Sequence, residues 1–259
     1  MSKILVIVEG KSKEPLLFKK LFHVYDPSAN IRIISYETNI YELYRQLFKD
    51  NEEDSRSLLM LLRSREKDED KKKIFDEHYN EVILIFDFDP QDNLYSAEKL
   101  NKLMQYFNNS TENGRLYINY PMVESLFHLS KWDESQEIFN QRYICKNNLL
   151  RYKSIVGEES CNKYFRKFTR EQYDILIKFN LFKVLFLLNT PLSEKSLCDY
   201  KKLYKVFEIE TQALEKDEIV YVLNTCILYF YEYKSSMFNF FNNNIDFDYP
   251  ITLIETPHY

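Results

Sequence analysis

Runs of apolar, mostly β-branched residues alternate with amphipathic segments through the first half of the chain, and this alternation constrains the fold more than any other feature. Residues 4–8 and 82–86 contain no polar side chain, which is typical of strands buried on both faces. The segments 14–25 and 96–107 carry apolar residues at helical spacing. The pattern predicts an α/β fold in which a parallel sheet is covered by flanking helices.

The same reasoning predicts further strands at residues 31–36 and 116–120, and helices at residues 40–48 and 122–129. Residues 49–80 carry 8 Lys or Arg and 10 Asp or Glu, which predicts a charged, solvated helical insert. From residue 131 the pattern is mainly helical, most strongly over residues 171–189 and 218–241, with a short last strand at residues 251–254. We therefore expect an α/β domain over residues 1–130 and a mainly α-helical domain over residues 131–259.

Composition excludes several classes of protein. Apolar residues make up 45% and charged residues 29% of the 259 residues, as in a globular chain and not a disordered one. No uncharged apolar stretch of about 18 residues occurs, so no membrane partner is expected, and with no signal-peptide pattern the chain is predicted to be cytoplasmic. The four Cys and four His are scattered, which predicts neither a disulfide framework nor a zinc site, so a metal ion would be held by carboxylates.

Positive charge is concentrated in one part of the chain. Residues 140–205 contain 14 Lys or Arg and 6 Asp or Glu, a local charge of +8 in a chain of net charge −5. Its cations are interleaved with Tyr143, Tyr152, Tyr164 and Tyr173. This asymmetry predicts a polyanion-binding segment, and the alternative is a basic helical face without a ligand. The candidate nucleic-acid-binding residues are Lys163, Arg166, Lys167 and Arg170.

Acidic residues follow three of the predicted strands. Glu9 follows the first, Asp87 and Asp89 end the third, and Glu124 comes after the fourth. The carboxyl ends of parallel strands meet at one edge of a sheet, where ligands bind, so we expect these carboxylates to lie together and to repel one another unless a cation separates them. Gly10, one of three glycines, indicates a tight turn or a close approach to a ligand. The alternative is that the acids cap helices.

Three motifs resemble the TOPRIM fold of topoisomerases, primases, OLD-family nucleases and RloB-like defence proteins. Residues 8–12 (VEGKS) are similar to the first TOPRIM motif and residues 86–89 (FDFD) to the second. Residues 119–124 (NYPMVE) resemble the element that follows the last core strand in OLD-like and RloB-like members. The resemblance covers residues 3 to about 130 and predicts a TOPRIM-like Rossmannoid sheet. The chain lacks a Walker lysine loop and a zinc module, which leaves a stand-alone TOPRIM protein.

The resemblance implies a nuclease that depends on Mg²⁺ or Mn²⁺ and hydrolyses phosphodiester bonds in DNA or RNA. Asp87 and Asp89 would hold one ion, Glu9 would either bind it or take a proton from the attacking water, and Glu124 would complete its ligands or recruit a second ion. Lys11 and Lys13 are candidates to stabilise the transition state, and the alternative for each is a solvated surface side chain. Kinship further suggests an anti-phage effector, with transfer RNA among its substrates and a regulatory protein partner.

Two other classes of function stay open from the residues alone. One is a non-catalytic TOPRIM-like module that binds nucleic acid, a nucleotide or a partner protein. The other is a different Mg²⁺-dependent phosphoryl-transfer enzyme, although an aspartyl-phosphate enzyme usually carries its Asp-x-Asp motif after the first strand, where this chain has Glu9. Metal dependence separates the non-catalytic module from the two enzymes.

Overall fold

Four parallel strands and one short antiparallel strand form the central sheet. The computed structural model describes residues 3–48, 57–161, 164–190 and 200–238. Within these residues the strands are β1 (Lys3–Val8), β2 (Asn30–Ser35), β3 (Glu81–Asp87), β4 (Asn108–Asn109) and β5 (Gly114–Asn119). Their order is β2-β1-β3-β5-β4, and only β4 pairs antiparallel. The predicted α/β class with a mostly parallel sheet is confirmed, whereas β4 was not predicted.

Helices cover the sheet because their apolar faces pack on its buried strands. β1 is buried from Ile4 to Val8, and α1 (Lys13–Tyr25) lays its apolar face against the sheet. α2 (Ile40–Leu47) and α5 (Ala97–Tyr106) begin at side-chain caps, Asn39 and Ser96, which accept hydrogen bonds from orphan backbone N–H groups. The helix predicted at residues 122–129 is instead a 3₁₀ helix, Val123–Phe127.

The predicted charged insert is helical where the structure describes it. α3 (Leu58–Arg65) and α4 (Glu69–Phe75) lie between α2 and β3, and residues 49–56 lie outside the described part. Arg63 pairs with Asp76 at 2.7 Å. Solvated charge on α4, where no residue is buried, agrees with the mixed-charge pattern.

The second half of the chain contains strands as well as helices. Its elements are α6 (Gln136–Gln141), β6 (Tyr143–Cys145), α7 (Tyr152–Glu159), α8 (Arg170–Leu187), α9 (Tyr200–Lys216), β7 (Ile219–Tyr221) and α10 (Leu228–Tyr233). The helix predicted at residues 171–189 is confirmed as α8. The single helix predicted at residues 218–241 is wrong, because the range begins with β7, which pairs antiparallel with β6. In the described part of this range, the helices are α10 and the short 3₁₀ helix Ser235–Met237. The strand predicted at residues 251–254 lies outside the described residues.

The segment between β7 and α10 packs against the end of the central sheet. Leu223 forms an isolated bridge with Tyr120, and the Thr225 hydroxyl donates to the Ile118 carbonyl at 2.7 Å. Arg115 on β5 pairs with Glu232 on α10 at 3.1 Å. The boundary predicted at residue 130 stays a prediction, but these contacts bring C-terminal residues to the strand ends.

Among the described residues, no helix has the length and apolar character needed to cross a membrane.

Candidate active site

The structure brings the four predicted carboxylates to one edge of the sheet. Glu9 follows β1, Asp87 ends β3, Asp89 lies two residues later, and Glu124 lies in the 3₁₀ helix after β5. The Asp87 backbone N–H donates to Glu9 Oε2 at 3.1 Å. Because β1, β3 and β5 run parallel, their carboxyl ends deliver residues that are far apart in sequence to the same place.

Asp87 lies at the centre of this group. Burial, followed by the charges of Glu9, Asp89, Glu124 and Glu14, raises the pKa of Asp87 well above its usual range. Burial also raises the pKa of Glu9 to about 8, against the lowering effect of the hydrogen bond from the Asp87 N–H group. Burial likewise raises the pKa of Asp89 to about 6. Like charges in a poorly solvated site disfavour ionisation. A cation bound among these carboxylates would reduce their mutual repulsion.

Backbone hydrogen bonds fix the turn that carries Asp89. The N–H groups of Phe88 and Asp89 both donate to the Pro121 carbonyl, at 3.1 and 3.2 Å. The Tyr41 hydroxyl donates to the Phe88 carbonyl. Asp89 has a φ of 36°, a left-handed conformation that Asp and Asn tolerate better than most residues. The turn after β3 therefore holds the second carboxylate in a defined backbone position.

Asn119 is a positioning residue that the sequence analysis missed. It is fully buried at the end of β5, its Nδ2 donates to Asp87 Oδ1 at 3.4 Å, and its Oδ1 accepts from the Cys226 N–H group at 3.3 Å. An asparagine directly after the apolar run 116–118 was the available signal. Its link to Cys226 depends on tertiary packing between distant parts of the chain and leaves no local pattern.

Glu14 is a fifth carboxylate at this edge, and it also escaped the sequence analysis. It lies in the first turn of α1 and is buried. A Cβ atom at Gly10 would lie 2.5 Å from both Glu14 carboxylate oxygens. Gly10 is not among the residues with positive φ. A larger residue at position 10 would therefore meet the side chain of Glu14. The backbone conformation of Gly10 does not itself require a glycine.

Glu124 contacts two lysines. Its Oε1 lies 2.5 Å from Lys13 Nζ and 3.6 Å from Lys153 Nζ, and Glu124 is buried whereas Lys153 on α7 is exposed. Lys11 instead forms an exposed ion pair with Glu37 at 2.8 Å. The structure thus places Lys13, not Lys11, beside the predicted carboxylates, and it adds Lys153 from the second half of the chain.

The chemistry of these side chains fits Mg²⁺ better than their present arrangement does. Mg²⁺ prefers hard oxygen ligands and keeps several waters, and Glu9, Asp87 and Asp89 offer only oxygens. No group of three or more His, Cys, Asp or Glu side chains in the described part of the chain is arranged to hold a metal ion. Contacts in a site of this kind often tighten only in the bound complex.

Only some of the predicted nucleic-acid-binding residues are exposed on the surface that the structure describes. Arg166 and Lys167 are exposed in a 3₁₀ helix, Phe165–Lys167. Arg170 is half-buried, with its Nε 3.8 Å from Asp174 Oδ2, and Lys163 lies outside the described residues. Lys183, one of the cations that gave the segment its charge, is fully buried. The local charge of the sequence therefore overstates the charge that faces solvent.

Comparison with known proteins identified no relative: no protein-family model, no curated protein and no solved structure matches the chain significantly. The resemblance to TOPRIM proteins accordingly depends on the three sequence motifs.

Proposed function

We propose that this protein is a Mg²⁺-dependent TOPRIM-like nuclease that hydrolyses phosphodiester bonds in DNA or RNA. The observation that carries the proposal is the environment of Asp87. Burial and then the charges of four other carboxylates raise the pKa of Asp87. Its Oδ1 accepts a hydrogen bond from Asn119, and its backbone N–H donates to Glu9. Acidic side chains that a fold holds close together against their repulsion favour a divalent cation.

Glu9, Asp87 and Asp89 would hold the ion in this proposal. When bound, the ion would neutralise charge on the phosphate and favour ionisation of the attacking water. Glu9 accepts the Asp87 N–H group through Oε2, which leaves Oε1 for the ion or for a water molecule. Glu9 Oε1 would then either complete the ligands of the ion or accept a proton from the attacking water, and Asp89 would remain a ligand.

Lys13 and Lys153 supply the positive charge in this mechanism. Both ammonium groups contact the carboxylate of Glu124, so Glu124 positions the two cations beside the acidic edge. A phosphate between these lysines and the ion would have its charge neutralised from two sides. Glu124 serves here as a positioning residue, which departs from the predicted role as a metal ligand.

The cellular setting of the proposal follows the resemblance. A nuclease of this type would act on nucleic acid in the cytoplasm, with transfer RNA among the candidate substrates, as an effector of anti-phage defence. Such an enzyme damages its own cell unless it is restrained, so the proposal includes a regulatory protein partner.

A second candidate is a module that binds nucleic acid without cutting it. The observation that favours it is that no three-residue metal group is arranged among the described residues. Such a module would use Lys13, Lys153 and the exposed cations of the basic segment, and its binding would not depend on a divalent ion.

Cleavage assays test the proposal and separate the two candidates. Labelled single-stranded and duplex DNA and RNA are incubated with the protein in Mg²⁺, in Mn²⁺ and in EDTA. We expect cleavage with either ion, none in EDTA, and a loss of at least about 100-fold in rate for Asp87→Asn. Asp133→Asn removes an exposed carboxylate elsewhere and should keep full activity. Binding without cleavage under all conditions would favour the module, and equal rates for wild type and Asp87→Asn would refute the assignment.

A further inference from the structure

An aromatic and basic surface lies next to the candidate active site. The 3₁₀ helix Phe165–Lys167 packs on the 3₁₀ helix that carries Glu124, because the rings of Phe127 and Phe165 stack with their centroids 5.6 Å apart at 26°. Lys13 Nζ lies 5.7 Å from the Phe127 ring centroid. Phe127 therefore lies between the lysine that contacts Glu124 and the residues just after Tyr164.

Tyr164 differs from the aromatic residues that follow it. Phe165 and Phe168 are buried, and Phe168 packs edge-on against Trp132 at 5.2 Å. Tyr164 is 69% exposed, and Lys167 Nζ lies 5.5 Å from its ring centroid. Of the four tyrosines interleaved with the basic segment, Tyr152 and Tyr173 are fully buried. The packing of this segment therefore leaves Tyr164 largely exposed, with Lys167 beside its ring.

We propose that Tyr164 stacks on an unpaired base of a single-stranded nucleic acid, with Arg166 and Lys167 at its backbone. An exposed aromatic ring beside cations is the arrangement by which proteins hold single strands, and stacking contributes about 1–3 kcal/mol per base. The bases of a duplex are already stacked on each other and offer no face to a side chain. In a chain of net charge −5, a polyanion binds where cations are concentrated.

This inference rests on the proposed function in one respect: it places the strand so that its phosphates continue toward Lys13 and Lys153. The Phe165–Phe127 and Lys13–Phe127 contacts place the segment that follows Tyr164 close to Lys13. Substrates with an unpaired base near the scissile phosphate would be preferred over fully paired ones. Tyr164 thereby determines which nucleic acids reach the acidic edge and takes no part in the chemistry.

Binding in EDTA tests the inference apart from catalysis. Fluorescence anisotropy is measured with fluorescein-labelled single-stranded 12-nucleotide DNA and RNA and with the matching duplexes. We expect Tyr164→Ala to raise the Kd for single strands about 5- to 100-fold, and Tyr164→Phe to bind like wild type because it keeps the ring. Tyr143→Ala, which removes an exposed tyrosine from β6, is the matched control and should change the Kd less than 2-fold.

Salt dependence separates stacking from charge. Tyr164→Ala should leave the slope of log Kd against log salt unchanged, whereas Arg166→Ala with Lys167→Ala should reduce it by about 1.4 for two phosphate contacts on a single strand. A single abasic nucleotide moved along the oligonucleotide should weaken wild-type binding at one position and have no effect there on Tyr164→Ala. This second measurement keeps the test informative if either variant loses stability.

Three results would overturn the inference. One is an unchanged Kd for Tyr164→Ala, another is an equal loss for duplex and single strand, and the third is the absence of single-strand binding by the wild type. Failure of the proposed function looks different, because Tyr164-dependent binding in EDTA without any Mg²⁺-dependent cleavage would leave the stacking site intact and remove only the catalytic assignment.

Discussion

Gly10 and Glu14 show how closely the acidic edge is packed. Because a Cβ atom at Gly10 would lie 2.5 Å from the Glu14 carboxylate, a methyl group there must displace that side chain. The site therefore depends on a residue with no functional group, and the charge of Glu14 in turn contributes to the raised pKa of Glu9 and Asp87.

Gly10→Ala should lower the free energy of unfolding by up to about 1 kcal/mol, because the atoms that it meets belong to the end of the Glu14 side chain, which must move. In a Glu14→Ala background the clash is absent, so the same change should be neutral or slightly stabilising, because alanine restricts the unfolded chain more than glycine. Urea unfolding of the four proteins in this double-mutant cycle gives the coupling. A coupling energy near zero would contradict the packing described for Gly10.

Single residues also show where sequence reasoning stops. Glu9, Asp87, Asp89 and Glu124 were predicted to meet because apolar runs indicate buried parallel strands, whose carboxyl ends share one edge of the sheet. Glu14 and Lys153 were not predicted to join them, since their positions depend on how α1 and α7 pack. Lys11 and Lys13 are equivalent in sequence near Glu9, but only Lys13 lies within α1 and contacts Glu124.

Most strands and helices of the first half were predictable because a local apolar pattern defines them. The two-residue strand β4 has no such pattern and was not predicted. The region after residue 218 was not predictable either, because Val220 and Val222 are equally compatible with a helix pattern, and tertiary contacts decide their conformation. Pairing of β7 with β6, and of Leu223 with Tyr120, selects extended backbone there. Propensity is a weak prior that such contacts override.

The segment between β7 and α10 holds the end of β5 through Thr225. Its hydroxyl donates to the Ile118 carbonyl at 2.7 Å in a buried environment. Thr225→Val should lower the free energy of unfolding by about 1–2 kcal/mol, because a buried hydrogen bond is lost while the shape is kept. Thr211→Val is the control, since the Thr211 hydroxyl donates within α9 to the Phe207 carbonyl and such bonds add little to a helix. Equal effects in urea unfolding would contradict the role given to Thr225.

The packing of the second half depends on a buried pair of ionisable groups. Lys183 on α8 donates to the carbonyls of Phe139 and Arg142 at 3.0 and 2.6 Å. Glu210 on α9 accepts a hydrogen bond from the Tyr221 N–H group through Oε2. Its other oxygen, Oε1, has no hydrogen-bond partner in the described part of the chain. Burial lowers the pKa of Lys183 to about 7 and raises that of Glu210 to about 8.

These two groups predict how stability depends on pH. Glu210 binds its proton more tightly in the folded protein, so its contribution to stability is complete below pH 4.5 and is lost as the pH rises to about 8. Lys183 acts in the opposite sense, and its contribution increases as the pH rises above about 7. Together they predict least stability from this pair near pH 7 to 8.

Glu210→Gln should therefore match the wild type at pH 4.5 and become increasingly more stable toward pH 8, by up to roughly 4 kcal/mol. The glutamine oxygen can still accept the Tyr221 N–H group. Urea unfolding across this pH range checks the trend, with Glu208→Gln on the exposed side of α9 as the control. A stability difference that is independent of pH would contradict the buried-pair account.

Divalent-ion binding to the acidic edge tests the central claim most directly. Isothermal titration calorimetry with Mn²⁺ should give a saturable isotherm for the wild type and for Asp133→Asn, because Asp133 is an exposed residue that is not one of the carboxylates at the strand ends. Asp87→Asn should lose this binding while keeping a cooperative unfolding transition. A wild type that shows no saturable Mn²⁺ binding, or an Asp87→Asn variant that binds as tightly as the wild type, would contradict the account.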